Sequence, residues 1–267
     1  MSHLETAAGP QRGLREIVSY SLLSGLCPLI PIPFLDDWAR DLLRQRLTTL
    51  LATHSSYHLS SDQLKLLACG NLPENAQGCG AGCVRHLIIQ PVLFLAQLIF
   101  RKLVRKILFF LTIKDTVETF SETFHEAYLL RHAFTLGLLP RTLPPPPGNP
   151  RPAALDPRSL AVRRAVEAVY RSADTRPVTS LTRSLFRSSW RGIAATARQM
   201  TVVLRRARRD GAQQVTERLR REGEERLGGL ITELTEDLEQ QGGYLEQLTQ
   251  RLEERLVTID SESSSPA

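Results

Sequence analysis

IVSYSLLSGLCPLIPIPFL, residues 17–35, is a run of 19 uncharged residues, long enough on paper to cross a bilayer. Its second half holds Pro28, Pro31 and Pro33. Proline lacks the backbone donor and its ring clashes with the preceding turn, so a continuous helix stops near Cys27. The stretch predicts a helix over Leu14–Leu26, then an apolar extended turn. Asp36 follows as the expected N-cap of a second helix to Ala52, with Trp38, Leu42, Leu43, Leu47, Leu50 and Leu51 at helical spacing.

Further along, Ser60-x-x-Gln63 is a capping box that opens a short helix, and Gly70 closes it. Between Leu87 and Ile113 lie 19 apolar residues out of 27, interrupted by four cations, Arg101, Lys102, Arg105 and Lys106. Laid on a helix, Ile99, Phe100, Leu103, Val104, Ile107, Phe110 and Leu111 share one side, and the cations fall mostly opposite. The uncharged part of the run is 14 residues, Leu87–Phe100, short of a span. Each charge near a bilayer centre costs roughly 2.5–3.5 kcal/mol, so a helix resting on a surface is favoured over one crossing it. Two such apolar segments are hard to bury in one module, which favours a membrane surface over a protein core for Ile17–Leu35 and Leu87–Ile113 together. The expected lipid contacts are Arg101, Lys102, Arg105, Lys106, Ile99, Phe100, Leu103, Ile107 and Phe110.

After this, Lys114-Asp115 marks a bend or a continuation, and Val117, Phe120, Phe124, Ala127 and Phe134 form one helical stripe. Eight prolines fall between Pro140 and Pro157, the pattern of a polyproline spacer. Asp156 and Pro157 take the N-cap and N1 positions of the next helix. A single helix is expected over Val178–Arg209, with nine arginines counted from Arg176. Leu227, Ile231, Leu234, Leu238, Leu245, Leu248 and Leu252 then alternate in steps of four and three, with Gln241 at the missing position. That is a coiled-coil-like seam weakened by Gly228, Gly229, Gly242 and Gly243, and it predicts self-association through Leu227–Leu252.

No segment alternates like a strand, so the chain is expected to be all-α. Its organisation reads as a flexible tail (1–13), a helical membrane-associated module (14–139), a Pro-rich linker (140–157), a basic helical region (158–221), an acidic coiled-coil-like helix (222–258) and a disordered tail (259–267). Charge is sharply divided. Residues 151–221 hold 17 Lys/Arg against 5 Asp/Glu, and residues 222–267 hold 3 against 12. The basic stretch could track a nucleic-acid backbone, but neutralisation by the acidic tail is favoured over it. Four cysteines, three of them clustered, are no secreted disulfide framework, and no signal peptide is evident. The expected setting is the cytoplasmic side of the membrane.

Chemistry-bearing patterns are few. Cys69, Cys79, Cys83 and His86 offer soft donors for a structural zinc, but their spacing matches no standard finger, and small buried cysteines in a Gly-rich turn are favoured. Gly78-x-Gly80-x-Gly82 lacks the preceding strand of a dinucleotide fold and reads as a turn. Glu122-x-x-His125 lacks the second copy that a di-iron bundle needs, which favours solvated helix charges. There is no P-loop, nucleophile elbow or HExxH pattern, so no cofactor and no enzyme activity are expected.

The spacing Gly25-x-x-Pro28-x-x-Pro31-x-Pro33-x-x-Asp36 resembles the Gly/Pro/Asp turn of EcsC-type and YcjF-type helical proteins, which are bacterial and commonly membrane-associated. The resemblance covers about 12 residues. It implies membrane association and carries over no functional residue.

Overall fold

Proline ends the first helix where the sequence places the break. In the computed structural model, which describes residues 8–30, 32, 34–70, 101–139, 156–206 and 212–263, α1 runs over Ala8–Leu26. Pro28 then enters a 3-10 turn, Cys27–Leu29, whose Cys27 carbonyl accepts from the Ile30 amide at 2.9 Å. Every residue from Ile17 to Cys27 is buried, on all sides of the helix. A helix apolar all round needs a partner on every face. Here the partners are other helices, α4 and α8 above all, with α2 beside them. From Ile17 to Cys27 the segment lies inside the protein, covered by helices that include α8 from the distant C-terminal half.

α2 spans Leu35–His54. Its N-cap is Phe34, with φ of 69° and a side chain left 57% exposed, and not Asp36 as expected. Asp36 and Asp37 sit in the first turn, where carboxylates favour the positive end of the helix dipole. Trp38 is 42% exposed and Ala39 faces inward in its place. α3, Ser61–Cys69, carries the expected capping box. The Gln63 amide donates to Ser60 Oγ at 3.2 Å, the Ser60 amide donates to Gln63 Oε1 at 3.0 Å, and Gly70 closes the helix at φ 67°.

α4 covers Arg101–Thr135 and runs unbroken through Lys114 and Asp115. Its stripe of Val117, Phe120, Phe124, Ala127 and Phe134 is buried, with the Phe120 and Phe124 rings stacked at 6.0 Å. α5, Pro157–Ser172, starts as expected, with Asp156 accepting from the Ser159 amide at 2.8 Å. The single helix expected over Val178–Arg209 is two, α6 (Arg176–Ser188) and α7 (Trp190–Arg206). Serine hydroxyls compete for helix carbonyls, and Ser188 Oγ donates to the Leu185 carbonyl just where the chain turns.

α8 (Ala212–Gln240) and α9 (Gly242–Ser263) part at Gln241, next to the Gly242–Gly243 pair. All seven residues of the leucine seam are buried in the chain's own core. α8 packs on α1 and α7, and α9 packs on α5 and α4. The heptad-like spacing coincides with burial inside the chain's own core. One buried apolar cluster includes Leu14 and Leu256, so helices on both sides of residues 140–155 share a core.

The fold is all-α: no strand occurs among the described residues. No described helix is long and apolar enough to cross a membrane.

Candidate functional site

Four charged side chains from three helices meet between α2, α4 and α5. Arg163 Nη2 donates to Glu126 Oε1 at 2.8 Å, and Arg163 Nη1 to the Leu67 carbonyl at 3.2 Å. Arg44 pairs with Glu122 at 3.1 Å and reaches Glu126 at 3.8 Å. Arg44 Nε also donates to Thr123 Oγ1 at 3.3 Å. The side chains of Arg44, Glu126 and Arg163 are at most 10% exposed. Ions so buried persist only when paired and hydrogen-bonded, and two guanidinia against two carboxylates close the local charge. A cavity of about 260 Å³ adjoins the network and is lined in part by Cys69, Glu167, Tyr170 and Arg171. Gly70 lies against Arg163: a Cβ there would meet Nη2 at 3.2 Å.

Burial and the neighbouring Asp41 carboxylate push the Cys69 thiol up to about 11, and burial pushes Tyr170 up to about 12. Both carboxylates are engaged by arginine and the thiol is held protonated, so these groups bind α2, α4 and α5 together and offer no poised nucleophile or base.

His125 lies one helical face away and is wholly buried. Its Nδ1 stands 2.5 Å from the Ser121 carbonyl oxygen, and its Nε2 stands 2.7 Å from the Tyr244 hydroxyl on α9. A carbonyl only accepts, so Nδ1 carries the proton and Nε2 accepts from the phenol. Desolvation lowers the imidazole to about 4, only partly countered by the Ser121 carbonyl. Glu122-x-x-His125 is thus neither a pair of solvated charges nor a metal motif. Glu122 answers Arg44, while His125 is a neutral strut between α4 and α9.

The other expected sites fall largely outside the described residues. Ile99 and Phe100 lie outside them. Arg101, Lys102, Leu103, Arg105, Lys106, Ile107 and Phe110 belong to the helical backbone of α4, but their side chains lie outside the description. Of the zinc candidates, Cys79, Cys83 and His86 lie outside, as do Gly78, Gly80 and Gly82. Cys69 is half-buried and accepts from Gln45 Nε2 at 3.9 Å. No group of three metal-ligating side chains occurs among the described residues.

The basic and acidic regions meet in one i,i+4 pair at their junction in α8, where Arg220 lies 3.0 Å from Glu224. Among the described residues no ion pair joins the arginines of α6 and α7 to the carboxylates of α8 and α9. The other carboxylates of α8 and α9 pair locally, as Arg226–Glu222 at 3.4 Å, or with distant partners, as Glu217–Arg46 at 3.0 Å and Glu253–His132 at 2.7 Å.

Sequence reading missed a second concavity, of about 440 Å³, where α1, α2 and α8 come together. Glu16 and Tyr20 of α1, Arg46 and Leu50 of α2, and Gln214, Glu217, Arg218, Arg220 and Arg221 of α8 line it. Each helix contributes residues at i, i+3, i+4 or i+7 spacing, which bring side chains onto one face. The available signal was the triplet Arg218, Arg220 and Arg221 within four residues, but nothing local ties it to Arg46. No family model, no curated protein and no solved structure matches this chain.

Proposed function

We propose that the protein is a non-enzymatic helical protein held peripherally at the cytoplasmic face of a membrane. The contact is the segment Leu87–Ile113, with Arg101, Lys102, Arg105 and Lys106 on anionic headgroups and the Ile/Leu/Phe face in the interfacial layer. One observation carries the reading: the cationic stretch Arg101–Lys106 opens α4, and the same helix enters the core from Ile113, where Ile113, Val117, Phe120 and Phe124 are buried. A helix rooted in a core at one end and cationic and apolar at the other suits attachment to a surface. The Gly25–Asp36 resemblance to membrane-associated families points the same way. Each cation is worth about 1 kcal/mol near a charged surface. The test is co-sedimentation with vesicles of phosphatidylcholine alone or with added phosphatidylglycerol. Wild type should pellet with the anionic vesicles and R101E/K102E/R105E/K106E should not; equal pelleting of the two sinks the electrostatic contact.

A second reading, nucleic-acid binding, draws on the exposed arginines Arg183, Arg187, Arg191, Arg198 and Arg205 of α6 and α7. It predicts DNA retention by the full chain that falls steeply with salt. Retention unaffected by 50–200 mM salt (roughly the range in which counterion release acts) would reject it.

A further inference from the structure

We propose that the groove between α1, α2 and α8 is a binding site for a phosphate-bearing anion. It goes beyond the membrane reading, because none of its residues belongs to Leu87–Ile113 and the site stands whether or not that segment meets lipid.

Four guanidinium groups line the groove, from Arg46, Arg218, Arg220 and Arg221, with Arg220 also held by Glu224 at 3.0 Å, against the two carboxylates of Glu16 and Glu217. Glu217 already faces a cation, whereas Glu16 Oε2 is buried with no hydrogen-bond partner. Glu16 lies 3.5 Å from His54, and Glu217 Oε1 accepts from Arg46 Nη2 at 3.0 Å. The Arg46–Glu217 pair is unequal: the arginine is 22% exposed and the glutamate 59%. A mostly solvated carboxylate thus occupies a mostly desolvated guanidinium, the position of a stand-in that a stronger anion displaces. Arg46 has unused capacity as well, because its Nε is buried with no hydrogen-bond partner. A buried donor left without an acceptor is costly, and a ligand oxygen in the groove relieves that cost.

The Tyr20 hydroxyl lies beside this guanidinium. Desolvation raises its pKa, while Arg46 and Arg220 oppose the rise. Arg218 and Arg221, one turn apart on α8, also line a neighbouring concavity with Val202 and Val203 of α7, so the basic rim continues beyond the groove. Clustered guanidinia match the charge of a phosphate, whose oxygens accept paired N–H donors. A volume of about 440 Å³ admits a phosphate ester, either free or as a lipid headgroup.

The experiment uses the full chain, with inorganic pyrophosphate by calorimetry and flotation on phosphatidylcholine vesicles with and without phosphatidic acid. Wild type should bind pyrophosphate. R218Q/R221Q, exposed changes that spare the core, should weaken binding about a hundredfold, roughly tenfold for each charge-assisted bond lost. E217Q should tighten binding severalfold by freeing Arg46, an effect that a merely structural role for these residues does not produce. Flotation on phosphatidic acid that survives R101E/K102E/R105E/K106E and is lost in R218Q/R221Q supports a headgroup as the ligand. Pyrophosphate binding without such flotation supports a free phosphate compound. The proposal is overturned if wild type and E217Q bind neither pyrophosphate nor phosphatidic acid, or if R218Q/R221Q binds pyrophosphate as well as wild type.

Discussion

His125 Nε2 and the Tyr244 hydroxyl meet at 2.7 Å and tie α4 to α9 across 119 positions of sequence. This joint makes stability depend on pH. The unfolded imidazole protonates near pH 6.5, whereas the folded one resists until about 4. Between those values the unfolded chain binds the additional proton, so stability is full above pH 6.5 and falls as the pH is lowered. The expected loss by pH 4 is roughly 3 kcal/mol. Urea titrations from pH 7.5 to 4.5 should show this slope in wild type and a clearly flatter one in His125→Gln. Matching slopes would place the pH sensitivity elsewhere.

Glu126 stands between two buried guanidinia, so Glu126→Ala should cost about 3–5 kcal/mol. Glu122 answers only Arg44 and is 39% exposed; Glu122→Ala should cost less than about 1 kcal/mol. Equilibrium denaturation of the two variants side by side reads the difference.

Gly25 and Gly223 each make a close approach at α1, in unlike ways. A Cβ on Gly25 would meet the Thr116 backbone oxygen at 2.9 Å, whereas one on Gly223 would meet the terminal Leu23 Cδ2 at 2.7 Å. A side-chain tip can turn aside and a helix backbone cannot. Gly25→Ala should cost about 1–3 kcal/mol, while in Gly223→Ala the gain in helix propensity, about 1 kcal/mol, offsets most of the contact. Thermal melts showing Gly223→Ala as the worse variant would contradict this account.

The leucine seam is core, so Leu234→Ala should remove about 2–5 kcal/mol. Its transition midpoint, like that of wild type, should not move with protein concentration. A concentration-dependent midpoint would restore the seam as an interface between copies.

Burial holds Cys27 up to about 12 and, with Asp41, Cys69 up to about 11. In a Cys79→Ser/Cys83→Ser background, neither thiol should react with a disulfide reagent at pH 8 until urea opens the fold.

Features set by neighbours in sequence were legible before the structure. The box of Ser60 and Gln63, the Gly70 cap, the Asp156–Pro157 start and the stop at Pro28 each depend on contacts within a few residues. Periodicity carried on through Ser189 and Gln241 because an apolar stripe keeps its spacing across a turn. The sequence showed α1 to be uncharged from Ile17 onward, which lipid and protein satisfy equally, and its packing partner α8 lies about two hundred residues away. The ion network was invisible for a related reason. Arg44, Glu126 and Arg163 look like ordinary surface charges until tertiary packing buries them.

The central position of α1 sets a condition on the chain's birth. α1 is among the most buried helices, yet one of its main partners, α8, leaves the ribosome about two hundred residues later. At 5–20 residues per second that is a delay on the order of ten seconds or more. Throughout it, Ile17, Val18, Leu22, Leu23 and Leu26 have no α8 to cover them. A nascent chain in that state presents an apolar helix to any chaperone or membrane within reach, so the interval before completion, and not the finished fold, is when this protein is most open to misassembly.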